Sequence, residues 1–544
     1  MNKKFCILTI GICLTMILTA FSGCVTEEEK TKITLYYNEG NDARKLGCQL
    51  LKDNVESITD DIEIEIQELA WAQYLDKLQN KEMPIFFLGW IPDYAHPDNY
   101  LDPFARSTGA YANRVGFNDS QIDEWIDAAK QELDPDAAKE LYSEIENRLF
   151  DKAVYLYIDQ PEYLRVERTW VNGWFYNPMF SELVYKYLSK SGSPDDSTYT
   201  HVSIGEIRTL DPAWAYDSAG GEILQNVYET LIFYKGGSAA ELEPQLAVEV
   251  PTVENGGISE DGLTYTFKLR ENVTFHDGTK FNASAVKFSI DRAMAYDDPE
   301  SPGWILTQPG LSEDKKSTNL NVEVVDEYTV RFNLKKAYSP FIYCLAYTIA
   351  NIVSPTYVKE NGEEAVEMPR PDNIWMDSHM CGTGPYMLDE WADDKSYVKL
   401  VAYDDYWGDQ PACTTIYIKV VDEYNTRYLA LLGGEADSIY VPLEHADEFE
   451  GMDDINVQTS DTFQVNFFGF NQAMAPFDDV NVRKAFCWAF DYNTYIDEVQ
   501  SGYSIQLQGI IPKGMFGHDD TLPMYSYDLT EAKKYLEDAG FTTK

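Results

Sequence analysis

The chain has 544 residues, too many for one hydrophobic core, and two or three domains of about 100–250 residues each are expected. Its 44% hydrophobic and 14% aromatic residues can fill those cores, while 43 Lys and Arg against 91 Asp and Glu leave a formal charge of -48. A surface of that sign repels phosphate backbones and anionic headgroups, which excludes nucleic acid as a partner and direct docking on acidic lipid.

Lys3 and Lys4 precede an apolar stretch, residues 5–21, that ends in Ser22-Gly23-Cys24 and gives way to the polar run 26–30. Basic, apolar and small-residue regions in that order predict a secretory leader over 1–23 and a polar tether over 24–30. The alternative is an uncleaved membrane helix, because a stretch of about 17 residues is near the lower limit for spanning. Both place the bulk of the chain outside the membrane, held at its front. Of eight cysteines, Cys6 and Cys13 fall in the leader and Cys24 just after it. Cys48, Cys344, Cys381, Cys413 and Cys487 remain, an odd set without C-x-x-C spacing; no pairing follows, and buried small side chains are expected. The six histidines are scattered, so neither a metal site nor a cofactor is expected.

Residues 33–37 and 84–90 read as strands, the second apolar enough to be buried on both faces. Asp134 predicts an N-cap with Pro135 at the first helical position, and Ala138, Leu141, Ile145 and Leu149 share one apolar face. Residues 189–198, Ser-Lys-Ser-Gly-Ser-Pro-Asp-Asp-Ser-Thr, have no apolar side chain except proline and predict a linker without helix or strand. Residues 467–471 read as a strand. Near the end, Thr530 predicts an N-cap for a helix whose Ala532, Leu536 and Ala539 share a side and which Gly540 stops. Strands mixed with helices throughout indicate an α/β fold.

Longer segments carry a resemblance. Leu210-Asp211-Pro212, then Gln225-Asn226-Val227-Tyr228-Glu229-Thr230-Leu231, Phe267-Lys268-Leu269-Arg270 and Phe275-His276-Asp277-Gly278 follow one another in that order. Gly382-Thr383-Gly384-Pro385-Tyr386, Tyr406-Trp407-Gly408, Gly434-Glu435-Ala436-Asp437 and Val482-Arg483-Lys484-Ala485-Phe486 continue the series. Together these resemble the family 5 extracellular solute-binding proteins, the dipeptide, oligopeptide and nickel receptors of ABC importers. Gly89-Trp90-Ile91-Pro92-Asp93-Tyr94-Ala95-His96-Pro97 resembles a ligand-pocket strand that sits late in such receptors, yet here it comes early. The segment order therefore looks circularly permuted, with 189–198 joining what are usually the last and first segments.

The resemblance implies two α/β lobes of the periplasmic-binding-protein type, with a ligand cleft between them. Residues 31–155 and 461–544 would form the second lobe, 199–460 the first, and 156–188 a hinge and return into the first lobe. The crossing strands are expected near 155–159 and 459–465. It implies that Gly89, Trp90 and Ile91 lie along a bound peptide and that Asp93 pairs with its ammonium, a charge-assisted bond worth about 1.5–3 kcal/mol. Ala215, Tyr216 and Asp217 are candidates for the first lobe's edge to ligand, and Phe467 and Asn471 for the second lobe's. The small pair before Cys24 resembles a lipobox, with Phe21 where leucine is usual, and implies a lipid on Cys24. The partners implied are a peptide, ABC permease subunits and the outer face of the cell membrane through that lipid, with the receptor a monomer. A nickel chelate, an oligosaccharide or a sensor role without transport are the alternatives. G-x-S-x-G, H-E-x-x-H, P-loop and G-x-G-x-x-G motifs are all missing, so no enzyme is expected.

Overall fold

The computed structural model describes residues 30–132, 134–205, 207–296, 301–307, 322–362, 370 and 374–544. The leader, Cys24 and the tether up to residue 29 lie outside these residues.

Strand β1 (Thr31–Asn38) enters helix α1 (Asp42–Ile58), where the Asn41 side chain caps the first turn and Gly47, Cys48, Leu51, Val55 and Ile58 turn inward at helical spacing. Strands β2 (Ile62–Leu69) and β3 (Ile85–Trp90) both run parallel to β1. β3 has Ile85, Phe86, Phe87 and Leu88 all buried, the pattern of a strand covered on both faces. Helix α2 (Pro135–Asp151) begins as expected, with Asp134 accepting from the Asp136 and Ala137 amides and Ala138, Ile145 and Leu149 buried. Strand β4 (Tyr155–Arg168), at 14 residues, follows directly.

The remaining strands of the main sheet are β5 (Thr198–Ser203), β6 (Tyr386–Trp391), β7 (Tyr397–Ala402), β8 (Thr415–Val420), β9 (Ser438–Ile439), β10 (Ile455–Asp461), β11 (Val465–Phe470) and β12 (Ser504–Gln506). They form one 12-stranded sheet in the order β6-β7-β8-β5-β9-β4-β11-β3-β1-β2, with β10 and β12 also paired to β4. β4 is the strand that crosses the molecule. Its residues 155–159 pair with β11 and residues 162–168 with β10.

Cores gather on either side of this crossing. At one end, side-chain alternation sends Phe86, Leu88 and Phe467 to one face of the sheet and Ile85, Phe87 and Phe468 to the other. Helix α3 (Ser218–Val227) packs in the other end, and helix α4 (Leu529–Asp538) covers the second face here through Ala532 and Leu536. At the other end, residues between 164 and 455 supply nearly all of three further clusters, centred on Phe267 and Phe332, on Tyr199 and Tyr228, and on Val202 and Leu431. The architecture is α/β with two lobes.

Two sequence expectations are corrected. The α4 cap is Asp528, whose side chain accepts from the Thr530 and Glu531 amides; Thr530 lies two residues further in, although Gly540 does follow the helix at φ 92°. The 189–198 segment is a turn only in its middle. Ser189 and Lys190 pair with Asn172 and Val171, and Thr198 opens β5. The Lys190 ammonium ties the turn down, reaching the Thr198 carbonyl at 2.6 Å and Asp437 at 2.9 Å. Strand pairing with distant residues overrides a polar composition there. The five cysteines Cys48, Cys344, Cys381, Cys413 and Cys487 are free and buried.

Candidate functional site

A cavity of about 740 Å³ lies where β4 and the β10–β11 connection cross between the lobes. Its walls come from stretches far apart in the chain: the β1–α1 turn, residues 161–164 of β4, the 174–182 loop, residues 440–444, and Thr462, Gln464 and Asn466. This volume is in the range of small-ligand sites.

Arg44 is the principal cation of this cavity. Its amide donates to the Asn41 side chain, which fixes the first turn of α1, and its guanidinium donates to Asn38 Oδ1 at 2.6 Å. The guanidinium carbon sits 5.8 Å from the Phe87 ring centroid. Burial pulls its pKa below the ordinary value; the buried Asp159 carboxylate acts on it at longer range, but no ion pair within 4 Å is made among the described residues. A desolvated guanidinium without an ion-pair partner is costly unless something else supplies the negative charge.

Asp93, in the turn after β3 and not among the residues lining the cavity, presents the opposite case. Its carboxylate is buried and accepts from Asn99 Nδ2 at 3.2 Å and from the Tyr216 hydroxyl at 3.1 Å. Burial pushes its pKa up to about 6, and the bonds from Asn99 and Tyr216 offset only part of that rise. The Asn99 side chain also accepts from the Asp93 amide and the Trp90 indole, so the turn after β3 is held by one residue. Tyr216 belongs to the other lobe and takes a further bond from Trp304. The Asp93–Tyr216 bond therefore closes one side of the cleft.

Between Arg44 and Asp93 runs the end of β3. Its pairing with β11 continues to Trp90, whereas its pairing with β1 stops at Phe86. The edge from Leu88 to Trp90 thus has no strand beside it among the described residues, and offers backbone groups to an extended ligand. The approach at Gly89 is close: a Cβ there would lie 2.6 Å from Asn466 Oδ1 and 3.0 Å from Arg44 Nη2, so both side chains would have to shift.

The other expected residues are distributed unevenly. Ile91 lines the cavity and is 56% exposed. Trp90 packs edge-on against Phe104 and Tyr111. Ala215 is buried, and Asp217 caps α3 through the Gly220 amide; of their stretch only the following Ser218 reaches the cavity wall. Phe467 is fully buried among Phe86, Phe104 and Tyr155. Asn471 donates to the Lys81 carbonyl and accepts from Ala473, away from the cavity. Both lie on or beside a strand that reaches the cavity only through Asn466, because alternate residues turn into the core.

Sequence reasoning missed Arg44, Glu182 and the rings of Tyr163, Trp174 and Tyr176, all of which line the cavity. For Arg44 one signal was present: a basic side chain in a helix's first turn opposes the macrodipole, which favours acids there. Among the described residues no group of three or more His, Cys, Asp or Glu side chains is placed to hold a metal ion.

Comparison with known proteins bears on this arrangement. Residues 18–112 and 241–544 match the family described as bacterial extracellular solute-binding proteins, family 5 middle. The probable D,D-dipeptide-binding periplasmic protein DdpA of Escherichia coli (strain K12) is 29% identical over 328 residues, covering 60% of this chain and 59% of that protein. The glutathione-binding protein GsiB of the same strain is 30% identical over 343 residues, covering 62% and 61%. The chain thus spans about three fifths of the length of these curated relatives. Among solved structures, the periplasmic binding protein DppA of Helicobacter pylori with peptide STSA superposes with a TM-score of 0.51 at 26% identity, covering 63% of this chain and 66% of that one. NikA of Brucella suis with Fe(III)-EDTA gives 0.51 at 27%, covering 64% and 65%.

Proposed function

Because this chain belongs to the bacterial extracellular solute-binding proteins of family 5, we propose that it is a receptor for short peptides, held in the interlobe cleft and passed to the permease subunits of an ABC importer. The observation that carries the reading is the pair of opposite charges, neither with an ion pair within 4 Å among the described residues, flanking one open strand edge: Arg44 on one side of Gly89 and Trp90, Asp93 on the other. A peptide with free termini supplies an anion for the first, a cation for the second, and backbone groups for the edge between them. Relatives named for D,D-dipeptides and for glutathione, and a neighbour holding a tetrapeptide, support the class of ligand.

The remaining parts of the reading concern how the receptor is held and built. It is a monomer anchored to the outer face of the membrane by a lipid on Cys24, and it uses neither metal nor cofactor. Its segments follow a circularly permuted order, with residues 31–155 and 461–544 making the second lobe, 199–460 the first, 156–188 the hinge and return, and 189–198 the joint between former termini. In support of that order, the Thr31 amide donates to the Asp61 carbonyl while the Thr542 amide donates to the Asp61 side chain. Joining Lys544 to Thr31 and opening the chain within 189–198 is expected to leave ligand binding intact; a chain so rearranged that folds but binds nothing contradicts the order.

The test of function uses protein made without residues 1–23 and a panel of di- to pentapeptides, their N-acetylated and C-amidated forms, oligosaccharides, and nickel and iron chelates. Peptides with free ends raise the melting temperature by binding the folded state. Asp93→Ala erases the preference for a free amine, and Arg44→Ala weakens free-carboxylate peptides by about 10- to 100-fold while sparing amidated ones. A shift with sugars or chelates but none with peptides sinks the reading.

A further inference from the structure

The cavity extends past Arg44 onto a wall that the peptide's termini do not use. Tyr163 of β4 stacks on Trp174 with ring centroids 6.2 Å apart and on Tyr176 at 4.9 Å, at 24° and 28° between planes. All three rings line the cavity. The Trp174 ring also has the buried Arg165 guanidinium at 5.6 Å.

Beside the stack is Glu182. Its carboxylate accepts from the Tyr163 hydroxyl at 3.1 Å and has no ion-pair partner within 4 Å among the described residues. The residue is held in the left-handed region at φ 62°, a conformation that side chains other than Gly, Asn and Asp adopt at a cost. It is fixed there by α3: Gln225 accepts from the Ser181 amide and donates to the Ser181 and Leu183 carbonyls. Behind it lies a second buried acid, Glu222, bonded by Tyr185 at 2.6 Å. The turn thus keeps a carboxylate at the wall; the buried Arg165, itself paired with Glu167, acts on it only at longer range.

The charge of the whole lining agrees. Asp42, Glu162, Glu182, Asp422 and Glu444 face Arg44 and Arg427. Arg427 is engaged by the Val421, Asp422 and Tyr440 carbonyls, which leaves Arg44 as the cation available to a ligand.

From this arrangement we propose that Tyr163, Trp174, Tyr176 and Glu182 form a subsite for a cationic side chain, so that the receptor selects peptides carrying lysine or arginine. The proposal rests on the peptide reading for the rest of the ligand, but the subsite is defined by its own residues. Aromatic faces attract cations and a desolvated carboxylate bonds them strongly.

The test compares tripeptides of alanine with lysine, arginine or norleucine at each position in turn, with agmatine as a cation that is not a peptide. Titration calorimetry reads the affinity ratio between lysine and norleucine at the best position. A ratio of about tenfold or more is expected from one charge-assisted contact and ring packing. Glu182→Gln, which can still accept from Tyr163, brings that ratio to about threefold or less, and Tyr176→Leu lowers it by a smaller factor of about 2–3. Lysine and norleucine peptides binding equally to the wild type, or a ratio that survives Glu182→Gln, overturns the subsite and leaves the peptide reading standing. Agmatine binding that Glu182→Gln removes, with no peptide bound, supports the subsite and overturns the peptide reading. If neither agmatine nor any peptide binds, both are wrong.

Discussion

Asp211 and Asp93 are both buried carboxylates, one in each lobe, and the molecule treats them oppositely. Asp211 receives a two-pronged pair from Arg292, both bonds at 2.7 Å, a further bond from Arg370 at 3.0 Å and the Ala213 amide. Burial alone would raise its pKa, but Arg292 and then Arg370 overcome that and bring it down to about 2. Asp93 has hydrogen bonds and no cation, and burial takes it up to about 6. Arg292 and Arg44 repeat the contrast from the basic side: the first has an acid in contact, whereas the second makes no ion pair within 4 Å among the described residues and meets the buried Asp159 only at longer range. A charge that holds a lobe together is neutralised within the lobe, whereas a charge left uncompensated beside a cavity is available to whatever enters it.

The contrast breaks most readily at Asp211. Asp211→Ala removes the two-pronged partner of buried Arg292 and one of the two acids that Arg370 meets among the described residues, so a loss of about 3–5 kcal/mol is expected in urea unfolding. A loss below about 1 kcal/mol would mean that the cluster is not structural.

Asp93 gives the opposite sign. The folded carboxyl keeps its proton to about pH 6, the unfolded one to its ordinary 3.8. Between those values the folded state binds more protons, so the unfolding free energy falls as pH rises, and the deficit persists above 6. Asp93→Asn is therefore expected to stabilise the ligand-free chain at pH 7 by on the order of 1–2 kcal/mol and to make no difference at pH 4. Affinity for free-amine peptides falls as pH drops through about 6, because the ammonium then meets a protonated acid. Urea melts at four pH values measure the first effect and calorimetry the second; equal stability of the two proteins at pH 7 refutes the assignment.

The smallest effect belongs to the bond that joins the lobes. Tyr216→Phe removes the hydroxyl that reaches Asp93 and is expected to weaken the closed arrangement by about 0.5–1.5 kcal/mol. Small-angle scattering of the ligand-free variant should show a larger radius of gyration than the wild type, with the two converging once peptide is added. Identical curves without ligand would mean that this contact does not hold the cleft.

Much of the fold was legible because its signals are local. β1, β3 and α2 are where alternation, apolar runs and the Asp134-Pro135 cap put them. Where a distant partner intervened, local reading failed: Ser189 and Lys190 became a strand because Val171 and Asn172 lie beside them. Of the expected site residues only Ile91 lines the cavity, with Gly89 beside Arg44, while Phe467 turned inward and Asn471 served a loop. Arg44 and Glu182 went unnoticed, since their importance lies in having no ion-pair partner, which no neighbouring residue in sequence reveals.

By itself the sequence determined the α/β class and the family, since each is written in short-range pattern: periods of two and 3.6, caps, and runs of motif residues. Tertiary structure alone decided which charges are neutralised. Asp93 meets Tyr216 across 123 positions and Asp211 meets Arg292 across 81. Burial and partnership set the energy of a charge, and both are properties of what the chain brings together from afar.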